Sequence, residues 1–240
     1  MTRDLVYGRR PVWEALRGPR EVLELWASER AVRSESWLRD VERPRVQAKL
    51  ERDLSEAAGT RDHQGVVAWC EPFRYADAFE LAAGPAPLLA CLDQVSDPRN
   101  LGAVIRSAEG AGASGVVVPA HGSARVTAAV CRASAGAVEH LPVAVVPNLA
   151  RYLADIKSGD LWIAGAAGES GTPMWQADLS GGLALVFGAE GKGLRPLVRR
   201  TCDLFVAIPQ LGRVESLNVS VAAAVLLYEA RRQREQAERG

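Results

Sequence analysis

Residues 185–194 read LVFGAEGKGL, with Gly188, Gly191 and Gly193 set around Glu190 and Lys192. Glycines beside a lysine suggest a phosphate cradle, whose pattern is Gly, four residues, then Gly-Lys-Ser/Thr, so that backbone amides and the lysine wrap the anion. With Gly191 and Lys192 in place, that spacing requires glycine at 186, where the chain has Val186, and a hydroxyl where it has Gly193. The phosphate reading fails at both points. Glycine still lets backbone come close to a ligand, and a wall of backbone without a phosphate cradle suits a neutral adenosine. A second stretch, IPQLGRVESLN over 208–218, offers Ser216 and Asn218 behind Pro209 and Gly212. A third, DPRNLGAVIRSAEG from Asp97, offers Asn100 and Arg106.

Each of these side chains also has an ordinary structural use. Asn100 can cap a helix, and Arg106 can pair with Glu109 one turn on. Ser216 and Asn218 can cap the last helix. Glu190 can stand as a carboxylate near a helix N-terminus.

The elements that must hold these residues fall into two groups. Up to about residue 73, VLELWA (22–27) and GVVAWC (65–70) read as strands, while RPVWEAL, SESWLRDV and LERDLSEAAG read as helices, which makes a small α/β unit over 1–73. Gly84-Pro85-Ala86-Pro87 breaks both helix and strand, so a linker is expected over 74–87. Over 88–240 the apolar runs LLACLDQV, GVVVPA, LPVAVV, LWIAGAA, LALVFG and LFVAIP alternate with helical stretches. Strands apolar on both faces belong to a parallel sheet with helices on either side. Ligands in such sheets bind beyond the carboxyl ends of the strands, so the tails AEGKGL and QLGRVESLN are expected on one edge. Asp97-Pro98 starts a helix, and Leu101, Val104, Ile105, Ala108 and Ala111 give it an apolar stripe. Gly110, Gly112 and Gly115 match the dinucleotide fingerprint in spacing, but they close that helix instead of opening one, so they are read as cap and turn glycines.

Composition removes several classes. No apolar run approaches the length of about 18 residues that a membrane span needs, and the N-terminus lacks the apolar segment of a secretory signal, so a cytoplasmic protein is expected. Four scattered cysteines and three histidines give no metal-site or disulfide spacing. The cysteines are therefore read as small buried apolar residues. Net charge is zero, which speaks against a strongly basic nucleic-acid binder. Of the 29 basic side chains only Lys49, Lys157 and Lys192 are lysines, a bias that fits RNA contact or a GC-rich genome equally well. Between Val219 and Tyr228 only Ser220 is polar apart from the tyrosine hydroxyl, and a helix apolar nearly all round needs cover on several sides.

Taken in order, DPRNLGAVIRSAEGAGASGVVV, LVFGAEGKGL and IPQLGRVESLNVSVAAAVLLYE resemble the three motifs of the SpoU (TrmH-type) ribose 2′-O-methyltransferases of the SPOUT superfamily, a likeness spanning residues 88 to about 235. The front part, from YGRRPVWEAL to RDHQGVVAWC, is similar to the RNA-binding domain of two-domain, RlmB-type members that act on a guanosine of 23S ribosomal RNA. The resemblance implies a C-terminal parallel-sheet domain with a deep trefoil knot behind a small N-terminal RNA-binding α/β domain. It implies S-adenosylmethionine as cofactor, RNA as partner, a homodimer, and neither metal nor membrane. Carried over by position, Gly188, Ile208 and Leu217 contact the cofactor largely through backbone, with Glu190 and Asn218 beside it. Asn100, Arg106, Glu190, Ser216 and Asn218 match the catalytic set. Gln210 stands where methionine is commoner and borders the cofactor site.

The implied reaction is displacement of a methyl group from a sulfonium by a ribose 2′-hydroxyl. The family assigns proton removal to the arginine matched by Arg106, yet a free guanidinium keeps its proton at ordinary pH. Arg106 is accordingly expected to clamp a phosphate and stabilise the developing alkoxide, with Glu190 orienting Asn100 or Arg106. Alternative readings are a transfer-RNA or antibiotic-resistance 2′-O-methyltransferase, a non-catalytic RNA-binding assembly factor, and, on the misplaced glycine triplet alone, a nicotinamide-dependent oxidoreductase.

Overall fold

A computed structural model describes residues 2–168, 171–189, 191–213 and 216–239. The chain runs β1 (Asp4–Tyr7), α1 (Arg9–Arg17), β2 (Val22–Ala27), α2 (Glu29–Ser34), α3 (Trp37–Asp40), β3 (Val46–Ala48), α4 (Glu51–Ala58), β4 (Val66–Cys70). It continues through α5 (Ala78–Ala82), β5 (Leu88–Asp93), α6 (Pro98–Gly110), β6 (Gly115–Pro119), α7 (Ala128–Ala133), a single 3₁₀ turn (Ala137–Glu139), β7 (Val143–Val146) and α8 (Leu149–Ile156). Last come β8 (Leu161–Ala167), β9 (Thr172–Pro173), β10 (Gly182–Gly188), α9 (Pro196–Thr201), β11 (Leu204–Ala207) and α10 (Val219–Ala237). Two compact units result: Met1–Arg74 with Arg125–His140, and Tyr75–Ala124 with Leu141–Gly240.

The first unit holds a four-stranded sheet in the order β1-β4-β2-β3, antiparallel except between β2 and β3. Its strands at 22–27 and 66–70 are those the apolar runs predict, whereas β1 and β3 are too short to show a period. The expected helix over 34–41 is instead two pieces, because the chain extends at Glu35 and restarts at Ser36. Residues 125–140 enter this unit from far along the sequence. Glu139 is held in a bidentate pair by Arg20, both side chains almost fully buried. Glu14 also reaches His140, at 2.8 Å.

In the second unit every strand pair is parallel, in the order β7-β6-β5-β10-β8-β11-β9. All residues of β5 and β6 are buried, as continuous apolar runs require of strands covered on both faces. One face packs Leu89, Cys91, Val117, Ile163, Ala184 and Val186 against residues of α5, α8 and α9. On the other lie α6, whose stripe Leu101, Val104, Ile105 and Ala108 is fully buried, and α10, which packs along α6 and β10. The glycine triplet ends α6 as expected: Gly112 is left-handed at φ 72°, and its N–H donates to the Glu109 carbonyl. Cys70, Cys91 and Cys131 are buried and Cys202 is half-buried, and all four are free.

Candidate active site

Strands β10 and β5 run side by side, and both end at the carboxyl edge where the two glycine-bearing tails emerge. After Gly188 the chain turns sharply, with the Gly193 N–H donating to the Ala189 carbonyl at 2.9 Å and Gly191 and Gly193 in the left-handed region. The turn folds back so tightly that a Cβ at Gly188 would overlap the Gly193 carbonyl group. Asp93, the last residue of β5, fixes the far end of the turn. Its fully buried carboxylate accepts from the Arg195 backbone N–H at 2.8 Å and from Arg195 Nε at 2.7 Å.

Against this turn lies the chain that follows β11. Together they enclose a cavity of about 660 Å³, lined by Gly188, Ala189, Gly191 and Gly193 on one side and Ile208, Gln210, Ser216, Leu217 and Asn218 on the other. Its floor comes from Ala166 and Ala167 of β8, Phe187 of β10, and Ala222 and Leu226 of α10. A second cavity of about 410 Å³ shares the walls Ala189 and Val219. It is more polar, lined by Gln94, Ser96, Asp97, Asn100 and Lys192. Helix caps place these groups. Asp97 Oδ1 accepts from Arg99 N to start α6, and Asn218 Oδ1 accepts from Ser220 N to start α10. Asn218 Nδ2 then donates to Asn100 Oδ1 at 3.0 Å, so the two helix starts are joined across the boundary of the cavities.

Most of the residues singled out from sequence therefore converge. Gly188, Ile208, Ser216, Leu217 and Asn218 line the larger cavity and Asn100 the smaller, and Gln210 borders the larger. Asn218 caps α10 and also lines the larger cavity, while Ser216 leaves the capping to it. Glu190 lies outside the described residues. Arg106 is exposed on α6 and lines neither cavity, and among the described residues it makes no ion pair with Glu109. Sequence reasoning missed Asp93, Arg195 and Gln94, and it weighed Lys192 only as part of a phosphate cradle. Gln94 stands at φ 63°, rare for a residue with a side chain, directly beneath Gly122. The signal for Asp93 was a carboxylate closing an otherwise wholly apolar strand.

No cluster of metal-binding side chains occurs among the described residues. At the carboxyl edge of this doubly wound sheet a backbone-walled cavity lies beside a more polar one, and similarity to known proteins makes the chain an S-adenosylmethionine-dependent RNA methyltransferase. Residues 87–228 match the SpoU rRNA methylase family and residues 5–76 the RNA 2′-O ribose methyltransferase substrate-binding domain, and the chain belongs to the SpoU methylase family. It is 40% identical over 243 residues, 97% of this chain and 98% of the relative, to the 23S rRNA (guanosine-2′-O-)-methyltransferase RlmB of Shewanella oneidensis. Among solved structures, the SpoU methyltransferase AviRb of Streptomyces viridochromogenes in complex with AdoMet superposes with a TM-score of 0.81 at 29% identity, covering 97% of this chain and 90% of that one. An AdoMet-bound rRNA methyltransferase from Sinorhizobium meliloti gives 0.79 at 26% identity, covering 96% and 87%.

Proposed function

We propose that the chain methylates the ribose 2′-hydroxyl of a guanosine in 23S ribosomal RNA. The observation that carries this reading is the 40% identity, over 97% of this chain, to a 23S rRNA (guanosine-2′-O-)-methyltransferase; the Asn218–Asn100 hydrogen bond, which joins residues of two adjoining cavities, agrees with it. The larger cavity fits S-adenosylmethionine, because glycine and small side chains leave its backbone amides and carbonyls open to the ligand and its volume lies within the usual range of ligand pockets. When bound, the cofactor supplies a methyl group on a cationic sulfur.

The residues supply alignment. Asn100 and Lys192 are placed to hold the ribose and an adjoining phosphate in the smaller cavity, and Asn218 fixes Asn100. Holding two reactants in line is worth roughly 7–11 kcal/mol, while a general base adds about 10² to 10⁴ in rate, so positioning dominates. Glu190 is assigned to orienting Asn100 or Arg106. Arg106 is assigned by the family likeness to clamping a phosphate and stabilising the alkoxide, although it lines neither cavity of its own chain. Its exposed place on α6 fits a homodimer, since Val221 and Tyr228 of α10 are also exposed and Tyr228 packs over Gly110, one turn beyond Arg106. A trefoil knot in the second unit is proposed on the SpoU family match. Residues 1–73 are read as the RNA-holding part and 74–87 as the linker. The reaction belongs to the cytoplasm, and no described helix is long and apolar enough to cross a membrane.

The test is transfer of tritium from labelled S-adenosylmethionine to unmodified ribosomal RNA, followed by mapping of the methyl. A 2′-O-methylguanosine in 23S RNA is expected. Transfer only to transfer RNA would move the substrate, and cofactor binding without transfer to any RNA would make the chain a binding factor. Arg106→Lys should lower turnover at least about tenfold through loss of bidentate contact, and near-normal turnover would remove the clamp.

A further inference from the structure

The sheet of the first unit is buried more deeply on one face than on the other. Val6, Leu25, Ala27, Val66, Ala68 and Cys70 are fully buried and alternate along their strands. The antiparallel register puts Leu5, Tyr7, Glu24, Trp26, Val67 and Trp69 on the opposite face, and of these only Val67 is fully buried. The indoles of Trp26 and Trp69 meet edge to face with centroids 4.6 Å apart. A cation rides on each: Lys49 Nζ lies 4.4 Å from the Trp26 ring, and the Arg3 guanidinium 4.9 Å from that of Trp69. Glu24 is the one carboxylate in this group and is already engaged, accepting from Arg3 at 2.8 Å and from the Trp26 indole N–H at 2.7 Å. Exposed Arg43 and Arg45 lead into β3 at the edge of the same sheet.

We propose that this face is a stacking platform for unpaired bases of the RNA substrate, with Tyr7, Trp26 and Trp69 receiving bases and Arg3 and Lys49 the intervening phosphates. It rests on RNA being the substrate and adds where and in what form the RNA is held. Duplex RNA hides its base faces and is gripped through phosphates and 2′-hydroxyls, which aromatic rings cannot contact productively, whereas single strands offer both π-faces and phosphates. Aromatic rings interleaved with cations match the second ligand. The residual charge also has the right sign, since Glu24 offsets only one of the two cations seated on the rings.

Fluorescence anisotropy of the full chain with a labelled oligoribonucleotide of about twelve nucleotides, single-stranded or as a duplex, tests the proposal. Trp69→Leu should weaken single-strand binding about tenfold, with Trp69→Phe restoring most of it, and leave duplex binding little changed. Lys49→Glu, a surface change that does not threaten folding, should weaken single-strand binding and flatten its salt dependence by about 0.7 in log–log slope. Both variants should bind S-adenosylmethionine as the parent does. Unaltered single-strand binding in both, or equal losses for duplex, would overturn the platform while the methyl-transfer assay still stood. Failure of the parent to methylate any RNA would strike the functional reading instead. A dimer of the parent that Lys49→Glu dissociates in sedimentation would give the face to a second copy and also overturn the proposal.

Discussion

At Gly188 the missing side chain is the structural element. A methyl group there would displace the Gly193 carbonyl and open the turn that walls the larger cavity. Gly188→Ala should cost about 1–3 kcal/mol by overpacking and abolish measurable cofactor binding in calorimetry. The Asp93–Arg195 pair predicts an asymmetry. Arg195→Ala leaves a fully buried carboxylate with one backbone donor and should cost about 3 kcal/mol in denaturant melts, whereas Asp93→Asn leaves the half-exposed guanidinium to solvent and should cost about 1 kcal/mol. The cysteines give a pH prediction. Burial raises Cys70 and Cys131 from 9.0 to about 12 and Cys202 to about 11. Above pH 9.0 the unfolded thiols ionise while the folded ones stay protonated, so their stabilising contribution, complete below that pH, is lost progressively up to about 12. Thermal melts should fall across that range, and thiol reagents at pH 8 should label the native chain far more slowly than the denatured one. Sequence patterns exposed many of the residues that line the two cavities, because Gly188, Asn100, Ser216 and Asn218 sit in long ordered motifs. They hid Gln94, which reaches the smaller cavity only because strand ends are brought together in space.

Among the elements, the long strands were legible because burial on both faces leaves uninterrupted apolar runs, as in β5, β6 and β10. Four-residue β1 and three-residue β3 were not, since so few residues carry no period, and partners remote in sequence define them. Tertiary pairing likewise decided α7, which no local pattern ties to the first unit. The 3₁₀ turn that follows it is anchored by the buried bidentate pair of Arg20 with Glu139. Arg20→Ala strands that carboxylate and should destabilise the first unit by about 3–5 kcal/mol. Hydrogen exchange is the suitable readout, because protection should drop in β1, β4 and 125–140 while the parallel sheet keeps its own.

For the molecule as a whole, zero net charge with an arginine-dominated cation set leaves RNA contact to local patches. The apolarity of 219–228 was readable as a demand for cover, but only the fold shows which side of α10 remains open, at Val221 and Tyr228. Replacing both by Glu should give a monomer in analytical ultracentrifugation that still binds S-adenosylmethionine and transfers methyl groups at least about a hundredfold more slowly; an unchanged sedimentation coefficient would sink the dimer through this face. The interleaved path of the chain bears on biosynthesis. The first unit opens the sequence, yet its carboxylate at Glu139 emerges from the ribosome only after the strands β5 and β6 of the other unit have been made. A nascent chain thus carries Arg20 with only the longer contact to Asp4, and without its buried bidentate partner, through the interval in which its neighbour begins to assemble, so the order of synthesis and the order of completion are reversed at the N-terminal end.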